Sequence, residues 1–256
     1  MTGTSDLSDS SNPIQLGAQL YAGKAKILYA TSDPNVLLAY YKDDATAFNA
    51  QKRGTIANKG EVNCAIATNL FKYLESKGIA THLIEQVTTD RQTIKAVKIL
   101  PLEVVVRNIA AGSLVKRTGL ELGTKLNQAI VEFYYKKDEL GDPLFTDAHI
   151  ALLELATPEQ LQQLRKLGLE VNQHLQAFFN QCDLTLVDFK LEFGLDQQGN
   201  ILLADEISPD TCRLWDQRTD NPSDRVLDKD RFRQDLGNVA AAYQEVMTRI
   251  QAAFAN

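Results

Sequence analysis

The segment LVDFKLEFG, Leu186 to Gly194, sets Asp188, Lys190 and Glu192 at every second position, with Val187, Phe189, Leu191 and Phe193 between them. Side chains on a strand alternate between faces, so this spacing puts an acid, a base and an acid on one side and four apolar groups on the other. Two chemistries compete for such a face. One is a solvated ladder of ion pairs, which contributes little. The other is a ligand face, with carboxylates beside a metal and an ammonium beside an anion. After the turn DQQGN, the run ILLADEIS returns as the second strand of a hairpin that carries Asp205. Glu192 and Asp205, one on each strand, then offer hard oxygens of the kind Mg²⁺ takes, one or two carboxylates at a time, together with substrate phosphates. The continuation DEISPDTCRLWD adds Asp210 and Arg213 in a loop broken by proline, where binding residues collect.

Two other stretches could meet anions. In YAGKAKILY a glycine is followed by Lys24, Ala25 and Lys26, a turn able to lay backbone N–H groups and ammonium charges along a polyphosphate. It is not a Walker-type loop, and a basic edge turn has the same composition. In VVVRNIAAGSLVKRTG, Arg107 ends a strand-forming run. Ala111-Gly112-Ser113 lets backbone approach an anion, and Ser113, Lys116 and Arg117 add donors. That pattern suits a phosphate monoester, although a surface loop can share it.

The elements that must position these groups are legible in outline. Leu20 to Tyr41 reads as a β-hairpin turning at TSDPN. Asn58 to Lys77 reads as a helix, with Val62, Ile66, Leu70, Tyr73 and Leu74 on one face and Gly78 ending it. Strands are expected at His82–Thr88 and Thr93–Val97, and ILPLEVVVRN opens another at Pro101. Thr157 to Gln181 is a helix with a capping box, Thr157 with Gln160, and Pro158 in its first turn. A last amphipathic helix is expected from about Lys229 to Phe254.

With 256 residues, 44% of them hydrophobic, the chain can bury a real core. A net charge of −6 argues against a general grip on nucleic acid, which needs a basic field. Cys64, Cys182 and Cys212 are odd in number and far apart, so neither a zinc nor a disulfide framework is expected. The polar opening MTGTSDLSDSSNPIQLG lacks the features of a signal or transit peptide, and no run is long enough to span a membrane. The expectation is a cytoplasmic, soluble protein with a disordered leader (1–16), a β-rich part (17–100) and a mixed α+β part (101–256).

ILPLEVVVRNIAAGS and LVDFKLEFG, with GKAK, DEISPD, RLWD and DKDRFRQ in order, resemble the SAICAR synthetase (phosphoribosylaminoimidazole-succinocarboxamide synthase) family from about Leu20 to the last helix. The resemblance implies an α+β fold of two lobes, the first similar to the nucleotide lobe of kinases and ATP-grasp enzymes. It also implies an ATP- and Mg²⁺-dependent ligase that joins L-aspartate to the carboxylate of the aminoimidazole ribonucleotide CAIR, with no nucleic-acid or membrane partner and room for a homodimer. By it, Lys24, Ala25 and Lys26 meet ATP phosphates, Leu100 to Glu103 line the adenine pocket, and Lys136 is a mobile phosphate-loop lysine. Glu192 and Asp205 hold Mg²⁺. Arg107, Ser113 and Arg213 grip the CAIR phosphate, Asp210 meets the ribose, and Lys190, with Asp188 similarly placed, faces the reacting carboxylate. One departure is Cys212, where many relatives have serine; a thiol is a weak donor. A small-molecule kinase and a non-catalytic nucleotide sensor are the competing readings.

Overall fold

The computed structural model describes residues 17–47 and 51–255, so the expected leader lies outside the described residues. The chain opens with β1 (Gln19–Ala22), β2 (Lys26–Ala30) and β3 (Val36–Tyr41), then a small hairpin of β4 (Asp44–Ala47) and β5 (Lys52–Thr55). Helix α1 (Lys59–Ser76) follows, then β6 (Leu83–Thr88) and β7 (Arg91–Lys95). β1, β2, β3, β7 and β6 form one antiparallel sheet in that order. The expected hairpin is β2 against β3, and the Gly23–Ala25 turn splits off β1 before it.

Helix α1 lies against this sheet through Cys64 and Ala67, while Val62, Ile66, Leu70 and Leu74 enter the main core. Asp43 accepts hydrogen bonds from the amides of Asn58 and Gly60, satisfying donors that a helix start leaves open. A Cβ at Gly60 would come within 2.4 Å of the Tyr41 carbonyl oxygen. The first turn of α1 is therefore pressed onto the end of β3.

The larger sheet is built on β8 (Lys98–Ile109), β9 (Lys125–Tyr135), β10 (Leu144–Phe145), β11 (Leu184–Leu195), β12 (Ile201–Ala204) and β13 (Cys212–Asp216). Its order is β10-β9-β8-β11-β12, with β13 also pairing β11. Helix α2 (Gly112–Thr118) follows β8, and α3 (Asp147–Leu152) precedes α4 (Pro158–Gln181). α4 has the expected capping box of Thr157 and Gln160, and buries Leu161, Leu164, Val171, Leu175 and Phe178 against β8 and β11. The two sheets meet where Leu203 of β12 bonds to Ala80 and His82. Burial pushes the His82 imidazole down to about 3, so this joint carries a neutral ring.

Two expectations need correcting. The helix from Lys229 to Phe254 is broken into α5 (Asp230–Arg233) and α6 (Val239–Ala255). Asp235, Gly237 and Asn238 all have positive φ, and the Arg231 guanidinium donates to the carbonyls of Leu236 and Gly237, stabilising the break. The alternation in β11 also fails at one point. Phe189, Leu191 and Phe193 face the main core together with Leu184 and Leu186, whereas Val187 packs on Ile109, Ala111 and Trp215. A bulge between Leu186 and Asp188, where the register with β13 shifts, reverses the facing. Among the described residues no helix is long and apolar enough to cross a membrane.

The glycine that ends LVDFKLEFG is explained by crowding: a Cβ at Gly194 would lie 2.5 Å from Val97 Cγ2 and 2.8 Å from Val97 Cβ. Gly194→Ala is expected to lower unfolding free energy by about 1–3 kcal/mol, as overpacking does. Adding Val97→Ala should return part of that loss in urea denaturation. A single variant as stable as the parent would show that the strand end yields without strain.

Candidate active site

The charged faces of the two sheets enclose a cavity of about 970 Å³. Parity along β8 decides what enters it. Leu100, Leu102, Val104 and Val106 belong to the main core, while Glu103, Val105 and Arg107 line the cavity. The Leu100 side chain is buried in the main core on the far face, which leaves the backbone of that segment on the cavity side. Lys24, Ala25, Lys26, Glu103, Arg107, Ser113, Lys136, Asp188, Lys190, Glu192, Asp205, Asp210 and Arg213 all line this one cavity.

One end is a row of cross-strand neighbours. Asp188 stands opposite Arg107 of β8 on one side and Arg213 of β13 on the other. Its Oδ2 accepts from Arg107 Nη1 at 2.7 Å, and both its oxygens accept from Arg213 Nη1 at 2.9 Å. Arg107 also donates through Nε to Glu132 at 2.8 Å and through Nη2 to Ser113 Oγ and the Tyr134 hydroxyl. Arg213 Nε donates to Asp230 at 2.7 Å. Burial would raise the Glu132 carboxyl, but Arg107 and Arg117 outweigh it and hold it below its usual range. A Cβ at Gly112, whose φ is +52°, would fall 2.5 Å from Arg213 Nη2, so glycine is what lets this guanidinium lie along the start of α2.

The other end concentrates carboxylates. Glu192 and Glu103 are direct cross-strand partners, a destabilising arrangement for like charges. Lys190 Nζ sits among them, 2.5 Å from Glu192, 3.3 Å from Glu103 and 3.3 Å from Asp205. Lys136 adds 2.6 Å contacts to both oxygens of Glu192, and Lys26 lies 2.5 Å from Asp205. Burial alone would lower the Lys190 ammonium, yet Glu192, Asp205 and Glu103 hold it well above its usual value. Asp205 is depressed despite its burial because Lys26, Lys190 and Lys136 surround it. Strand β12 stops at Ala204, so Asp205 is just beyond the strand, with φ of +62° turning it into the cavity. Lys24, at the mouth, pairs with Asp138 at 2.7 Å.

The donor set fits Mg²⁺ in a particular way. Glu192 and Asp205 carry hard oxygens that converge on one ammonium, and Glu206 beside them has a buried Oε2 with no hydrogen-bond partner. Among the described residues no group of three or more His, Cys, Asp or Glu is arranged to hold a metal ion. Two carboxylates without a closed cage are what a Mg²⁺ shared with substrate phosphates requires.

Several residues in the wall or behind it were not expected from the sequence. Lys59 at the start of α1 is 1% exposed, and its Nζ lies 2.7 Å from Asp210 Oδ2, while the Tyr243 hydroxyl donates to Asp210 Oδ1 at 2.8 Å. Lys229 and Arg233 line the cavity near Asp210 and Asp230, and Glu132 and Tyr134 stand behind Arg107. DKDRFRQ was visible as a motif, and its charges are the ones that could have been followed further. Nothing local marks Lys59. Cys212 is buried, and burial pushes its thiol well up, so it stays protonated.

The SAICAR synthetase family model matches residues 19–250. The phosphoribosylaminoimidazole-succinocarboxamide synthase of Acaryochloris marina is 66% identical over 236 residues, covering 92% of this chain and 96% of that protein. The crystal structure of the synthase from Ehrlichia chaffeensis superposes with a TM-score of 0.88 at 44% identity, covering 92% of this chain and 99% of that one. A SAICAR synthetase in complex with ADP superposes with a TM-score of 0.87 at 44% identity, covering 91% and 97%. With the family match running through nearly every described element, and both charged ends of the cavity inside the matched span, this chain belongs to the SAICAR synthetase family.

Proposed function

We infer that the chain is an ATP-dependent carbon–nitrogen ligase of purine biosynthesis, condensing L-aspartate with the carboxylate of CAIR to give SAICAR, ADP and phosphate. The observation that carries this is one cavity with two anion-binding ends of different chemistry, a lysine cluster and a guanidinium row, joined by β11. The names of its relatives and the ADP bound to one of them support the same reading.

In this reading Lys24, Ala25 and Lys26, on the five-stranded sheet, receive the ATP phosphates. Lys136 accompanies them from its loop, and the backbone near Leu100 with Glu103 borders the base. That sheet would form a nucleotide lobe and the six-stranded sheet a substrate lobe, the division falling near residue 100 at the start of β8. Arg107, Ser113 and Arg213 take the phosphate monoester of CAIR, a task suited to forked donors. Asp210 accepts from the ribose hydroxyls.

A carboxylate does not react with an amine at neutral pH because its oxygen is a poor leaving group. Attack of the CAIR carboxylate oxygen on the γ-phosphorus releases ADP and leaves an acyl phosphate. The aspartate amine then bonds to the acyl carbon, phosphate departs with the former carboxylate oxygen, and the amine gives up a proton. Glu192 and Asp205 would hold Mg²⁺, which supplies charge neutralisation at the moving phosphoryl group when bound. Lys190, kept charged by its carboxylates, offsets the anion-to-anion approach of the two reactants. Asp188 keeps the two guanidiniums apart and aimed.

The function is tested by ADP release with ATP and CAIR, with and without L-aspartate. Stoichiometric SAICAR that depends on all three is expected; sustained ADP release without aspartate would make the protein a small-molecule kinase, and no release at all a sensor. Lys190→Gln is expected to lower kcat by roughly a hundredfold or more, as removing one preorganised electrostatic donor does, with little change in ATP affinity. A near-normal kcat would return Lys190 to a solvated ladder. Asp188→Asn leaves two guanidiniums sharing a neutral acceptor, at a cost of about 1.5–3 kcal/mol. Its melting temperature should fall, and inorganic phosphate should recover more of it than phosphate adds to the parent. An equal phosphate response in both proteins would count against the guanidinium row as an anion site.

A further inference from the structure

Lys59 is the most deeply buried cation described, 1% exposed, and it belongs to α1 rather than to the sheet that carries the guanidinium row. Its Nζ contacts Asp210 Oδ2 at 2.7 Å and the Lys42 carbonyl at 3.4 Å. We propose that Lys59 is a positioning residue for sugar recognition: delivered from the first turn of α1, it fixes the Asp210 carboxylate at the cavity wall in the orientation that accepts the ribose hydroxyls of CAIR. The proposal rests on the placement of CAIR given above.

The chemistry of Asp210 requires such a partner. An ionised carboxylate has about four lone-pair sites. The Tyr243 hydroxyl takes one on Oδ1, and the Lys59 ammonium pairs with the buried Oδ2, so the remaining site on Oδ1 is the one left for a sugar hydroxyl. The side chain of Asp210 is only 4% exposed, and burial alone would favour the neutral acid, which accepts poorly and donates instead. The charged and titratable groups facing it are Lys59 from α1, Lys229 from the segment before α5, Tyr243 from α6, and Glu206 from its own loop. Burial raises the carboxyl, but Lys229, Lys59 and the Tyr243 hydroxyl outweigh it and bring it to about 2. Lys229 is the looser of the two cations, 3.7 Å from Oδ1, and burial with the nearby Arg233 and Lys59 charges lowers its own ammonium. Packing does not demand an ammonium here, since a buried ion pair commonly gives no more stability than an apolar pair of the same volume. Its consequence is instead that a group on the helix packed against the sheet assigned to ATP shapes the pocket assigned to CAIR.

The test compares Lys59→Met, Lys59→Arg, Asp210→Asn and the Lys59→Met/Asp210→Asn pair in the full chain, reading KM for CAIR, KM for ATP, kcat and the pH profile of kcat/KM for CAIR. Lys59→Met is expected to raise the CAIR KM by on the order of tenfold, one charge-assisted contact's worth, with the ATP KM unmoved. The acid limb of its kcat/KM profile should move to higher pH as Asp210 loses a cation that favours its charged form, and Lys59→Arg should move both readings back toward the parent. Because Lys59 acts only through Asp210, the double variant should match Asp210→Asn alone. That comparison stands even if Lys59→Met by itself leaves a buried carboxylate that prevents folding. A Lys59→Met protein with the parent's CAIR KM and pH profile, alongside an Asp210→Asn protein that binds CAIR poorly, overturns the proposal, as does a double variant markedly weaker than Asp210→Asn. An Asp210→Asn protein with an unchanged CAIR KM overturns instead the placement of the ribose, and the role of Lys59 with it.

Discussion

The ammonium of Lys190 is the contact on which the rest of the site depends. Glu103 and Glu192 face each other directly across β8 and β11, and Asp205 closes in from the end of β12. Without a cation among them the three carboxylates would repel or take up protons, and the strands that bear them would lose their register. Lys190 sits within ion-pair distance of all three, and Lys26 and Lys136 complete the balance from β2 and from the loop after β9. The positive groups that balance these carboxylates are also those a polyphosphate would meet in the proposed function. Little rearrangement is then needed when charge develops during reaction, the condition under which fixed charges are most effective.

The second end of the cavity uses a different cation for a geometric reason. Arginine offers a planar fork with several fixed donors, whereas lysine offers a compact point charge. At Arg107 each of the three guanidinium nitrogens has a protein acceptor, on four different residues. The result is a guanidinium row with a set shape beside a lysine cluster with a set charge. In the proposed function that difference would let one cavity tell a phosphate monoester from the end of a triphosphate.

Much of this arrangement was legible from alternation alone. Asp188, Lys190 and Glu192 share the cavity, and Arg107 and Glu103 share one face of β8. The same parity puts the Leu100 side chain on the opposite face, in the core. Other features depend on contacts no local pattern encodes. The bulge at Val187 follows from pairing with β13, which lies beyond the next strand and loop. The break before α6 is held by Arg231 reaching back to carbonyls that a continuous helix would have used internally. A lysine opening a helix reads as a solvated residue, and only Asp210, far along the chain, makes Lys59 an interior one.

The left-handed backbone at Asp205 narrows what evolution can place there. Aspartate and asparagine tolerate that region because their short polar side chains bond locally, glycine because it has no Cβ, and longer or β-branched residues carry strain. Glu192 sits in ordinary extended backbone and is under no such restriction. Two carboxylates that converge on the same ammonium therefore have unequal alphabets. A drifting lineage can exchange acid for acid at position 192 on side-chain reach alone, whereas at 205 the longer acid would add backbone strain to the change in reach.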